Sequence, residues 1–384
     1  MRTLIALSLL FTAAFLALLV LEILVRIVFR VRIKQPPDNR SAQGKTYLDA
    51  YDDPQEGIQF PPWVEPQIDY NTYLGFIPTA NITTKSYSTN SYHFRYDENF
   101  ASEKASNEIR IFVTGGSKAW GAGVTEAALY TRLVEKEFSS RYPEKRVRVI
   151  CAAGPAYCST QERIMVENVV LRLSPDYVVM FSGRNDCYFG YSGKDTIFEQ
   201  DYFDYESVLS PKKFSKVGPT SHEHYSLKLL FLFHRLTRSR GDEPARRPSV
   251  VPRIVAKTFL TNIHILSDIS KRHQFKLMIY LEPSIFTTKK LLSEWEQSVL
   301  ERSSVRFPNL REYSHELHLS LKSILPEDAI GNNYLFEDGD NAISSEVKSV
   351  FSDNVHFGDR GYRLIASHLF EILARSLSDT LNLQ

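Results

Sequence analysis

Ser117 stands in Thr114-Gly115-Gly116-Ser117-Lys118-Ala119-Trp120-Gly121, directly after an apolar run, and the glycines before it let the backbone turn where a side chain would collide. A hydroxyl on such a strand-to-helix turn can act as a nucleophile if a base reaches it. Near the C-terminus, Ser352-Asp353-Asn354-Val355-His356-Phe357-Gly358 supplies that base. Asp353 and His356 lie close enough on one turn to bond directly, so the carboxylate would fix the imidazole tautomer and stabilise the imidazolium. Two other apolar runs end in Ala153-Gly154-Pro155 and Ser182-Gly183-Arg184-Asn185-Asp186, which offer a backbone N–H at Gly154 and a side-chain amide at Asn185. Together with the N–H of Ser117, these are the donors that an acyl transfer needs around its developing oxyanion.

Taken singly, each feature has an ordinary reading. A lone Gly-Gly-Ser is usually a turn, a lone histidine before a helix is usually a surface group, Asp353 could be a cap and Asn185 a turn residue. Asp186 reads as a brace for its loop. The Ser117 loop is no phosphate-binding loop, because no Gly-Lys-Ser/Thr closes it, and Ala119 breaks the Gly-x-Ser-x-Gly elbow of the α/β-hydrolases. His222 with His224, and His315 with His318, lack the matching carboxylates or cysteines of a metal centre, so neither metal nor cofactor is expected. Cys151, Cys158 and Cys187 are too few for a disulfide scaffold; Cys158 and Cys187 could pair or stay as thiols. Lys plus Arg total 46 against 45 Asp plus Glu, which argues against nucleic acid as a partner.

The elements that must position these groups follow from periodicity. Apolar runs at 109–114, 147–152, 177–181 and 275–281 predict buried strands, and residues 125–141, 159–173 and 252–272 have the apolar spacing of helices. A helical stretch is predicted from about residue 359 to 377. Strand and helix alternate, which implies right-handed crossovers and a three-layer α/β/α sandwich around a parallel sheet of about five strands. Reactive groups in such sheets sit beyond the carboxyl ends of the strands, where the polar motifs fall.

These blocks in this order resemble the SGNH (GDSL-like) hydrolases: Gly116-Ser117 with Gly121, then Gly154, then Gly183-x-Asn185-Asp186, then Asp353-x-x-His356. The resemblance covers roughly residues 109 to 376. Upstream, Tyr73-Leu74-Gly75-Phe76 and Thr89-Asn90-Ser91-Tyr92-x-Phe94-Arg95 resemble the prelude of membrane-anchored bacterial members. The resemblance implies a flavodoxin-like SGNH fold and a serine esterase. In that esterase Ser117 attacks the ester, His356 takes its proton, Asp353 orients His356, and Ser117, Gly154 and Asn185 form the oxyanion hole. The family usually has Asp immediately before the serine, where this chain has Gly116, a departure in the loop rather than in the chemistry. The expected substrate is an ester-bearing small molecule, lipid or glycan. The same triad in an O-acyltransferase, and a silent glycan- or protein-binding domain, are the alternatives.

Residues 4–21 are apolar apart from Ser8 and Thr12, and the run continues past Glu22 to Val25. That length suits a bilayer core, and no small-x-small site closes the run as a cleaved leader would require. Residues 1–34 are therefore expected to form a transmembrane anchor with a basic flank, making the membrane a partner. Arg26, Arg30, Arg32 and Lys34 would place the rest of the chain in the cytoplasm if the positive-inside rule is read literally. They alternate with apolar residues, however, and can lie along the interface, so the catalytic domain is expected on the extracytoplasmic, periplasmic side. Residues 35–108 form a proline-rich linker and prelude, with short strands expected in 70–96, and residues 109–384 form the catalytic domain. An insertion at about 188–252 is expected to line or lid the site.

Overall fold

Four of the apolar runs are neighbouring strands of one parallel sheet, as suits strands that helices cover on both faces. In the computed structural model, which describes residues 20–21, 50–52, 66–193 and 249–381, these residues after position 49 fall in one compact unit. The chain first makes an antiparallel hairpin of β1 (Ile68–Asn71) and β2 (Gly75–Pro78), closed by the Asn71 side chain accepting the N–H groups of Tyr73 and Leu74. This hairpin and isolated bridges at Thr83–Ser88 and Arg95–Cys151 are what the expected short strands amount to.

The α/β unit then runs β3 (Glu108–Gly115), α1 (Ser117–Trp120), α2 (Tyr130–Arg141), β4 (Arg146–Cys151), α3 (Ser159–Asn168), β5 (Tyr177–Ser182), α4 (Arg184–Tyr191) and α5 (Pro252–His273). It continues with β6 (Lys276–Leu281), α6 (Glu294–Arg306), α7 (Leu310–Gly331), β7 (Leu335–Asp338), α8 (Asp359–Ser376) and α9 (Ser378–Leu381). The five strands are parallel in the order β4-β3-β5-β6-β7. Every residue of β3 and β5 is buried. α2 and α8 pack together on one side, while α5 packs with α3, α4 and α7 on the other. The three-layer expectation therefore holds.

The boundaries differ from expectation where local chemistry intervenes. The helix expected over 125–141 is a 3₁₀ turn at Glu126–Ala128, then α2, with Leu129 extended between them. The one expected over 159–173 breaks at Val169, continues as a 3₁₀ turn at Val170–Leu173 and stops at Ser174, which is left-handed with φ 49°. Adjacent β-branched valines crowd the preceding turn and favour such a break. α5 starts on Pro252, which needs no N–H partner there, and carries Lys271, Arg272 and His273 in its last turn against the helix dipole.

In this strand order the direction of winding reverses between β3 and β5, so a crevice opens beyond their carboxyl ends. Ser117 follows β3 and Asn185 follows β5. Among the described residues no helix is long and apolar enough to cross a membrane. The expected anchor, apart from Val20 and Leu21, lies outside the described residues, as do residues 194–248 of the insertion, including His222 and His224.

Candidate active site

β3 ends in Gly115, whose φ of +148° is open only to glycine and whose Cβ, if present, would lie 2.3 Å from the carbonyl oxygen of Phe181 on β5. The strand thus turns hard against its neighbour and presents Ser117 as the first residue of α1. The turn is closed by the N–H of Trp120 donating to Gly116 O and that of Ala122 donating to Ser117 O, each at 2.9 Å. Being first in its helix, the Ser117 N–H has no carbonyl partner within α1. Lys118, next in the chain, is buried; it donates to Pro283 O at 2.5 Å and lies 3.4 Å from a Glu282 carboxylate oxygen.

Ser117 Oγ lies 2.8 Å from His356 Nε2, although 239 positions separate the residues in the chain. His356 sits on a loop closed by Ser352 N–H donating to His356 O and Gly358 N–H donating to Val350 O, each at 2.9 Å. Asp353 organises the tip. Its Oδ1 accepts the N–H groups of Val355 and His356 at 2.6 and 2.7 Å, and its Oδ2 lies 3.1 Å from His356 Nδ1. Burial alone would raise the Asp353 carboxyl, but the adjacent imidazole and the two N–H groups outweigh it and hold the carboxyl below its ordinary value. The group is therefore an anion at neutral pH, as an orienting partner must be.

The oxyanion candidates are placed less uniformly. Asn185 Nδ2 donates to Tyr157 O at 2.8 Å and lies over Gly116, where an added Cβ would come within 2.1 Å of that nitrogen. The Asn185 amide is thus beside the serine turn, with its second hydrogen still to place. Gly154 stands at the same edge, but its N–H donates to Gly115 O at 3.1 Å. Asp186 lies in the first turn of α4 and ties it to the start of α3. It accepts from the Ser159 N–H and hydroxyl at 3.1 and 2.6 Å, and burial pushes its carboxyl up to about 6.

Several supporting residues escaped the sequence reading. Arg95 is completely buried, and its Nη1 donates to Trp120 O and Gly121 O while Nη2 donates to Val124 O and Ser86 O and Nε pairs with Glu126. It therefore ties down the chain leaving α1. Glu296, buried with Lys290 at 2.6 Å, accepts the N–H groups of Val350 and Phe351 at the root of the base loop. Glu282 accepts the Arg184 N–H at 2.6 Å and so links the start of α4 to Lys118. Asp52 accepts from Arg360 and Arg363 just beyond His356, and its own N–H donates to Asp359. Each supporter lies far in sequence from what it supports, so no local spacing could reveal it; only the membership of Arg95 in the prelude motif hinted at a role. Cys151, Cys158 and Cys187 are all buried, and no disulfide joins Cys158 to Cys187.

No family model matches the chain, and no curated protein matches it in sequence. Among solved structures it is similar to the acetyl xylan esterase AlAXEase, at 15% identity and a TM-score of 0.39, over 69% of this chain and 100% of that one. It is similar to a GDSL-like lipase from Bacteroides thetaiotaomicron VPI-5482, at 13% identity and a TM-score of 0.38, over 72% of this chain and 93% of that one. The acetylxylan esterase Axe2 from Geobacillus stearothermophilus is similar at 14% identity and a TM-score of 0.38, over 68% of this chain and 93% of that one.

Proposed function

We propose that the chain is a serine esterase that hydrolyses acyl or acetyl esters through Ser117, His356 and Asp353. The observation that carries this reading is the 2.8 Å approach of Ser117 Oγ to His356 Nε2, with Asp353 on the far nitrogen of the same ring. With Nδ1–H donating to Asp353, Nε2 is left to accept the Ser117 proton as Oγ attacks the ester carbon. The tetrahedral oxyanion is received by the Ser117 N–H and the Asn185 amide, while the Gly154 N–H, which donates to Gly115 O, stands at the same edge. His356 then gives its proton to the departing alcohol, and a water activated by the same nitrogen releases the acid.

The substrate is an ester-bearing carbohydrate or lipid of the cell envelope. This part of the proposal rests on the apolar N-terminal run, which would tether the domain to a membrane with its site on the extracytoplasmic side. Hydrolysis of p-nitrophenyl acetate by the purified chain, beside Ser117→Ala, tests the chemistry. A loss of about 10³-fold or more in kcat is expected, and equal rates in the two proteins would sink the nucleophile assignment. A sugar acceptor that becomes acylated in place of water would convert the reading to acyl transfer by the same residues.

A further inference from the structure

Beside the start of α4, between the ends of β5 and β6 and the flank of α7, a cavity of about 20 Å³ is lined by the polar residues Arg184, Glu282, Ser284, Thr287, Ser314 and His318 among apolar groups. That is space for one particle of water or monatomic-ion size. Arg184 is 95% buried, as its relative exposure is 5%, and among the described residues neither its Nε nor its Nη1 has a hydrogen-bond partner. Its guanidinium lies 5.6 Å from the Tyr188 ring and 5.3 Å from the Phe286 ring, which hold it in place without answering its N–H groups. On the same cavity His318 Nε2 is buried without a partner, while its Nδ1 lies 3.1 Å from Thr287 Oγ1. In the tautomer in which the Thr287 hydroxyl donates to Nδ1, Nε2 carries the hydrogen and joins Arg184 Nε and Nη1 as an unanswered donor.

The charges agree with the geometry. Glu282 is the carboxylate lining the cavity, and its charge faces Lys118 while its other oxygen takes the Arg184 N–H. Burial, with Lys322 next, pushes His318 down to about 4, so it adds no charge at neutral pH. Lys118 and Glu282 offset each other, and among the described residues no carboxylate pairs with the buried guanidinium of Arg184. A buried charge in that condition is costly unless it is paired. We infer that this cavity is a binding site for one small monovalent anion of the chloride class, held by Arg184 Nε and Nη1 and by His318 Nε2. Because Arg184 precedes Asn185 in the first turn of α4, the bound ion also fixes the start of the helix that carries the amide.

The test uses the full chain in chloride, bromide or gluconate at equal ionic strength. Chloride and bromide are expected to raise Tm by roughly 2 °C or more over gluconate, saturably, and Arg184→Met to abolish the rise. Crystals grown in bromide are expected to show an anomalous peak within hydrogen-bonding distance of Arg184 and His318, a readout that needs no variant to fold. No peak at that place overturns the proposal, and so does a peak without a saturable rise in Tm, which marks binding at crystal concentration only. An equal rise in Arg184→Met, if it folds, also overturns it.

Discussion

Gly116 is where the chain departs from the Asp-Ser pattern it resembles, and the structure turns that departure into a quantitative test. An added Cβ at this position would stand 2.1 Å from Asn185 Nδ2, 3.3 Å from Asn185 Cγ and 3.3 Å from Tyr157 O. The obstacle is the end of a movable side chain, so Gly116→Ala is accommodated by displacing the amide and breaking its 2.8 Å bond to Tyr157 O. The stability lost is then small, about 1 kcal/mol for one hydrogen bond. The catalytic loss is larger, because a displaced oxyanion donor lowers kcat by about 10²-fold or more. Asn185→Ala should lose a similar factor directly. In the double variant the missing amide vacates the space that the added methyl group requires, so its kcat should match Asn185→Ala alone instead of falling by the product of both losses. The assay is kcat and KM for p-nitrophenyl acetate across the cycle, with urea denaturation as the control for folding. Wild-type kcat in Gly116→Ala, or multiplicative losses in the double variant, would refute the packing argument.

Asp353→Asn should keep the loop closed but spoil the imidazole tautomer, lowering kcat by about 10²- to 10⁴-fold with KM little changed in steady-state assays. Arg95→Met strands the buried carbonyls of Trp120, Gly121 and Val124, and should cost about 3 kcal/mol or more in denaturant unfolding, whereas a silent substitution would deny Arg95 its clamping role. Asp186, raised to about 6, binds a proton in the folded chain over a range where the unfolded chain has lost it. Its contribution to stability therefore falls as pH rises from about 4 towards 6 and is flat above. Asp186→Asn should remove that slope, as read from urea midpoints of the two proteins across pH 4–8, and parallel profiles would contradict the assignment.

What could be read from the sequence was what repeats locally. β5 and β6 are apolar over nearly their whole length, and β3 and β4 carry apolar residues around Arg110 and Arg148, so all four were legible as buried strands; β7, Leu335–Asp338, is short, half acidic and partly exposed at the sheet edge, and left no such run. α7 carries Pro326 inside it, which masks a helical pattern. Asp353 and His356 were legible because their spacing lets one turn join them, and Ser117 because glycines announce a turn at a strand end. The contact of Asn185 with Gly116 was not, since it arises only when β5 is laid beside β3 at the reversal of winding. The same holds for Arg95 and Glu296, whose partners are backbone groups of remote loops.

Everything proposed for the site depends on Ser117 being the activated nucleophile. Labelling of the full chain with a fluorophosphonate, followed by mass mapping of peptides, reads this directly. One adduct is expected, on Ser117, absent from Ser117→Ala and formed far more slowly in His356→Ala. An adduct on another residue, or undiminished labelling in either variant, would contradict the assignment.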